Sequence, residues 1–308
     1  MSLPSTEFQA PALGEVSPVW EAGALLGEGL CWSPALQALY WVDIHGHRLM
    51  RWHVATGERR EWRFGESISA VAERANGRGL VVALHKGPAF FDPETGDLQR
   101  LHEPEPHHPG NRFNDGKCDR HGRFWAGSMD TACQAPTGSL YCLHAEGQHT
   151  RLRCAWPANF AVVNGPAWSL DGRTVWVNET ARGVVHVARF EPETGELGEQ
   201  RPWLRFAKGD GYPDGMTVDA RGRLWIAHWA GACVTCHAPD DGRELARLTL
   251  PTSNVTNVIF GGPDLRTLYI TTAAGELSDE QRASQPLAGA LFTATTDAQG
   301  LPTALFAG

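Results

Sequence analysis

No uninterrupted run of 18 apolar residues occurs anywhere in the sequence, which leaves no candidate for a transmembrane helix. The first residues, MSLPSTEFQAPALGEVSPVW, lack a positive start followed by an apolar core, so a secretory leader is not expected and a cytoplasmic location is. Basic runs are missing too. Lys and Arg together number 27 against 35 Asp and Glu, a formal net charge of −8, which argues against nucleic acid and against a membrane surface as partners. A GxSxG nucleophile elbow, a Walker loop and a GxGxxG turn are all absent, so serine-hydrolase and nucleotide-binding readings have no support. Cysteine is scarce and odd in number, at seven. The single CxxC, Cys233 and Cys236, reads as strand with its two thiols on opposite faces, and no second pair completes a zinc site. Packing cysteines in a reducing compartment are the expectation.

Helical periodicity is also nearly missing, and a repeat stands in its place. Six short aromatic or aliphatic strands align: LYWVD at Leu39, LVVAL at Leu80, FWAGS at Phe124, VWVNE at Val175, LWIAH at Leu224 and LYITT at Leu268. Each follows a turn rich in Gly, Asp, Asn, Arg or Pro, and each leads to another turn and strand, as in GPAFFDPETGD. Units of about 40 to 50 residues with four strands each are the mark of a β-propeller, here all-β with six blades. Residues 14–308 are read as one such domain, preceded by a tail over 1–13. The apolar stretch from Val16 to Ala24 is expected to complete the last blade and close the ring.

Five residues before each turn stands an oxygen-bearing side chain: Glu28, Ser69, Asn114, Asn164, Asp214 and Thr256. Equivalent positions in the first strand of every blade form one ring at the mouth of the central channel, and these residues are expected just before that strand. Oxygen atoms converging there suit a hard divalent cation, with Glu28 and Asp214 supplying charge and Asn164 and Asn114 neutral oxygens. Asn-Gly and Asp-Gly pairs are common turn formers, so any one of these residues has a plain explanation. Their recurrence at one register is what favours a site. Ser69 and Thr256 are expected only to line the pocket. His107 and His108 sit in a Pro-rich loop and read as surface or lid, while His45 and His47 share a strand face without a third ligand.

The segments GEGLCWSP at Gly27, NRFNDGKCDRHGRFWAGSM at Asn111, NGPAWSLDG at Asn164, YPDGMTVDARGRLWIA at Tyr212 and FGGPDLRTLYITTA at Phe260 resemble the gluconolactonase and regucalcin (senescence marker protein) family. The resemblance runs in order from about residue 14 to the end. It implies a six-bladed propeller that binds one divalent metal and hydrolyses sugar lactones, and among its members bacterial aldonolactonases look most similar. It places the metal on Glu28, Asn164 and Asp214, and substrate contacts on Arg112 and Asn114. Ala132 stands where some animal members carry a Glu. The expected activity is hydrolysis of an aldonolactone (glucono-, xylono-, arabinono- or galactonolactone), with Asp214 both ligating the ion and accepting the proton of the attacking water. Calcium, zinc, magnesium, manganese and ferrous iron all remain open. An arylesterase-type hydrolase and a non-catalytic calcium-binding propeller are the rival classes.

Overall fold

The computed structural model describes residues 8–207 and 209–308; of the expected tail, residues 1–7 lie outside the described residues. Six antiparallel sheets follow one another along the chain, the first five with their strands in sequence order and the sixth with the N-terminal strand added at its outer edge, and blade 4 has one additional short strand. The six aligned strands are the second strands of the six blades, for example Ala38–Asp43 in blade 1 and Leu224–Trp229 in blade 5. The first strands, Gly27–Ser33, Ile68–Glu73, Asn111–Cys118, Val163–Trp168, Tyr212–Val218 and Val255–Gly261, each contact the next around the axis, and the sixth contacts the first. Closure is completed by Ser17–Trp20, which pairs with Leu291–Thr295 as the outermost strand of blade 6. Among the described residues no helix is long and apolar enough to cross a membrane.

A single blade cannot bury both of its faces, and the packing shows how that is met. Six apolar clusters fill the six interfaces between adjacent blades. At the junction of blades 6 and 1, Trp32 stacks on Tyr269 with ring centroids 5.8 Å apart. At the junction of blades 5 and 6, Trp225 meets Phe260 edge-on at 5.4 Å. Cys233 and Cys236 are buried free thiols in this packing, as their sequence context predicts.

Blades 3 and 5 share a further device. In DRHGRFW the Asp119 carboxylate accepts from Arg123 Nε at 2.6 Å and from Trp125 Nε1 at 2.8 Å. In DARGRLW, 100 residues on, Asp219 accepts from Arg223 Nε at 2.7 Å and Trp225 Nε1 at 2.9 Å. Asp219 also accepts the backbone N–H groups of Arg221 and Arg223, so one buried carboxylate closes the turn and ties it to the strand. Replacing Asp219 by Ala strands a buried guanidinium and should lower unfolding free energy by about 3–5 kcal/mol in urea denaturation. A loss below about 1 kcal/mol would mean that the Arg223 contact to the Gln9 carbonyl suffices to hold that charge.

Candidate functional site

The first strand of every blade carries a register irregularity against its second strand, and it falls at the same place each time: between Glu28 and Cys31, Ile68 and Ala70, Phe113 and Gly116, Asn164 and Ala167, Pro213 and Met216, and Val255 and Asn257. Extra residues in one strand of a pair bend it and re-aim the side chains at the bend. The six aligned polar residues therefore lie inside the first strands, not before them as expected, and the bulges turn consecutive positions toward the axis.

Not all six converge. Thr256 Oγ1 donates to Gly27 O at 2.5 Å, tying blade 6 to blade 1, and accepts from Thr271 Oγ1 at 2.9 Å, while Ser69 Oγ donates to Ala83 O. The other four come together. Asn114 Nδ2 donates to Asn164 Oδ1 at 3.0 Å and to Val163 O at 2.9 Å, while Asn114 Oδ1 accepts from Arg112 Nη1 at 2.7 Å. Glu28 and Asp214, 4% and 5% exposed, lie within hydrogen-bonding reach of each other. Burial pushes both carboxyls well above the usual range; the neighbouring Asp214 and Asp115 charges add to it for Glu28, and the Asp115 charge adds to it for Asp214. Two carboxyls can share a hydrogen bond only if one keeps its proton.

Below this layer the next residue of each strand is Gly29, Ala70, Asp115, Gly165, Gly215 or Asn257. Only two of these carry long side chains, Asp115 and Asn257, on opposite blades, and the Asn257 amide favours the charged form of Asp115. Asn257 Nδ2 also donates to Glu28 Oε2 at 2.8 Å, and Asp115 Oδ2 accepts from Gly165 N at 2.9 Å. Glycine is required at 215, because a Cβ there would stand 2.3 Å from Asn257 Cγ. One step deeper, Lys117 Nζ donates to Met216 O at 2.6 Å, and burial pulls this ammonium down while Asp115 favours its charge. Beyond it a cavity of about 130 Å³, mostly apolar, is walled by Trp32, Trp168, Phe260 and the segment Leu301–Ala304. The buried carboxyls Glu28 and Asp214 lie on the other side of Lys117 from this cavity.

Around the polar end, burial pulls His45 and His85 down, and the Arg112 charge adds to the effect on both. Ser67 Oγ lies 3.2 Å from His85 Nδ1. His45 and His47 occupy a turn and not the strand face expected, because Asp43 Oδ1 accepts from Gly46 N and ends the strand. His107 is exposed and His108 half-buried, in a loop pinned by Glu105, which accepts from Asn111, Ser128 and Tyr141. Ala132 is exposed in a turn whose N–H groups are capped by Asp130. Among the described residues, Nε and Nη2 of Arg112 make no hydrogen bond, so that fork has free donors. Asp115, Lys117 and Asn257 escaped the sequence reading. For Asn257 the signal was a polar residue one step past the aligned register.

The donor set fits a divalent cation. Two buried carboxyls crowd together with charge that a cation can balance, and the Asn164 carboxamide is held by Thr180, which also contacts the carbonyl of Pro213 next to Asp214. Among the described residues no group of three or more His, Cys, Asp and Glu side chains is placed to hold a metal, so the set depends on Asn164 as its third member. Residues 26–274 match the region described as SMP-30/Gluconolactonase/LRE-like. The chain belongs to that family. An L-arabinolactonase of Azospirillum brasilense is 35% identical over 297 residues, 96% of this chain and 96% of that protein. A 6-deoxy-6-sulfogluconolactonase of Pseudomonas putida is 35% identical over 286 residues, covering 92% of this chain and 96% of the other. Among solved structures, a calcium-binding regucalcin from Agrobacterium tumefaciens superimposes with a TM-score of 0.87 at 27% identity, covering 97% of each chain.

The raised carboxyls of Glu28 and Asp214 set a pH dependence with a definite sign. Groups whose folded pKa is raised bind protons more tightly in the folded state, so their contribution is full below the unfolded value of about 4 and is lost as pH rises through the raised values. In chelator, urea midpoints should therefore fall across that window, and the fall should shrink in Asp214→Asn. An unchanged slope in the variant would refute the crowding.

Proposed function

We propose that the chain is a metal-dependent lactonase that opens a neutral aldonolactone to the aldonic acid, in a single propeller domain over residues 14–308. That it is a lactone hydrolase, and so a carboxylic ester hydrolase, follows from its family and the names its relatives carry. The ion and the sugar are the proposed part. The observation that carries it is the buried Glu28 and Asp214 pair beside Asn164 at one end of the channel.

Glu28, Asn164 and Asp214 would hold the ion, which when bound supplies Lewis-acid polarisation of the lactone carbonyl and a lowered pKa for water. Asp214 accepts the proton of the attacking water as the new C–O bond forms. The tetrahedral carbon then collapses, the ring C–O bond breaks, and Asp214 returns the proton to the departing ring oxygen. The Asp214 carboxylate has a second oxygen that can take this proton while the first stays on the ion. Arg112 offers Nε and Nη2 to the sugar hydroxyls or the carbonyl oxygen, and Asn114 holds the guanidinium in place through Nη1. The regucalcin that superimposes on this chain is described as calcium-binding, which supports a divalent ion without choosing one.

Initial rates on glucono-, xylono-, arabinono- and galactonolactone, with chelator-stripped protein and each divalent ion restored in turn, test this directly. Turnover of at least one lactone that depends on an ion is expected; spontaneous rates throughout would refute it. Asp214→Asn should fold normally and lose about 100-fold or more in kcat. Near-native kcat in that variant would remove Asp214 as the base.

A further inference from the structure

Thr180 opens the short turn Thr180–Arg182 that follows the second strand of blade 4, at the polar end of the channel. Its backbone is held without help from its side chain: Thr180 N donates to Val162 O at 3.0 Å, and Thr180 O accepts from Gly183 N at 2.9 Å. The hydroxyl is therefore free for other work, and it makes two contacts of opposite sense. Thr180 Oγ1 accepts from Asn164 Nδ2 at 2.8 Å and donates to Pro213 O at 2.7 Å.

A hydroxyl has one proton. With that proton committed to Pro213 O, the oxygen can only accept from Asn164. The amide must then present Nδ2 to Thr180, which leaves Oδ1 to face Asn114 Nδ2 and the site. The same proton grips the carbonyl of the residue immediately before Asp214, while Asn178 Nδ2 donates to Asp214 O. Two of the three oxygen donors are thus oriented by one side chain that reaches across a blade boundary.

We propose that Thr180 is a positioning residue of this site, whose hydroxyl fixes the amide orientation of Asn164 and the backbone of Asp214 together and so sets the affinity for the divalent ion. This rests on the reading that Glu28, Asn164 and Asp214 hold that ion. Without the hydroxyl, the Asn164 amide loses one of the two contacts that set its orientation, leaving Asn114 Nδ2 alone to hold Oδ1 against a rotation that would offer the ion position an N–H group, which repels a cation.

The test uses the full chain stripped with chelator and titrated calorimetrically with calcium chloride and with manganese chloride, in the absence of lactone. Thr180→Val should weaken the ion that binds the wild type by about 10- to 100-fold. Thr180→Ser, which keeps the hydroxyl, should stay within about threefold of wild type, and Thr180→Ala replaces the valine variant if that one fails to fold. The ion-free unfolding midpoints should agree within about 3 °C, which separates positioning from general destabilisation. At saturating ion, kcat should fall in Thr180→Val with KM little changed. Wild-type ion affinity in Thr180→Val, alongside lost binding in Glu28→Gln, would overturn the Thr180 role alone. Serine as damaging as valine would also overturn it, by assigning the effect to the methyl group. Unchanged affinity in Glu28→Gln would overturn the ion site and this role with it.

Discussion

The crowding of Glu28 and Asp214 on the propeller axis is the constraint on which the rest of the site depends. Two carboxyls out of water and within reach of each other are unfavourable unless a proton or a cation lies between them. The surroundings supply donors without resolving this. Asn257 donates to Glu28, and Arg112 and Lys117 set positive charge above and below the layer. Asp115 returns a negative charge from the layer beneath. A small oxygen-liking cation would answer the imbalance where hydrogen bonds cannot, because its charge would be concentrated where the two carboxyls meet.

Much of this was legible from residues alone, for a physical reason. A propeller repeats one blade, so equivalent positions face the same axis, and a polar residue recurring at one register becomes a ring. Glu28, Asn114, Asn164 and Asp214 were found in this way. The same logic failed at Thr256. The bulge in blade 6 turns the next residue, Asn257, to the axis and leaves Thr256 hydrogen-bonded to blade 1. Bulges set which of two neighbouring residues points inward, and composition does not reveal that choice. Asp115 was hidden by its neighbour: in NDG, Asn114 matched the ring register while Asp115 reads as an ordinary turn residue.

Glycine explains why two adjacent layers can both reach the axis. If every blade carried a side chain at the position after the ring, six chains would compete for a channel that accommodates two. Gly215 sits against the Asn257 amide with no room for a Cβ, and Gly165, with φ of +86°, donates its N–H to Asp115. The Gly in the NG and PDG segments is thus required by what the neighbouring blades project, as well as by the local bend. A turn-forming explanation for Asn164 and Asp214 accounts for the glycine that follows each of them, but not for the carboxamide and carboxylate aimed at one point.

The layers along the axis also separate two ends of different character. Lys117 crosses the channel to reach Met216 O, and Leu301–Ala304 wall the cavity beyond it. That cavity is mostly apolar, whereas the other end offers Arg112 and two imidazoles that burial holds toward the neutral form. Neutral imidazoles donate and accept, which matches hydroxyl groups better than anions. These histidines come from the turn after the second strand of blades 1 and 2, segments whose length and composition the repeat does not constrain. The polar ring is therefore readable from periodicity, while the histidines beside it stand on connections where each blade differs.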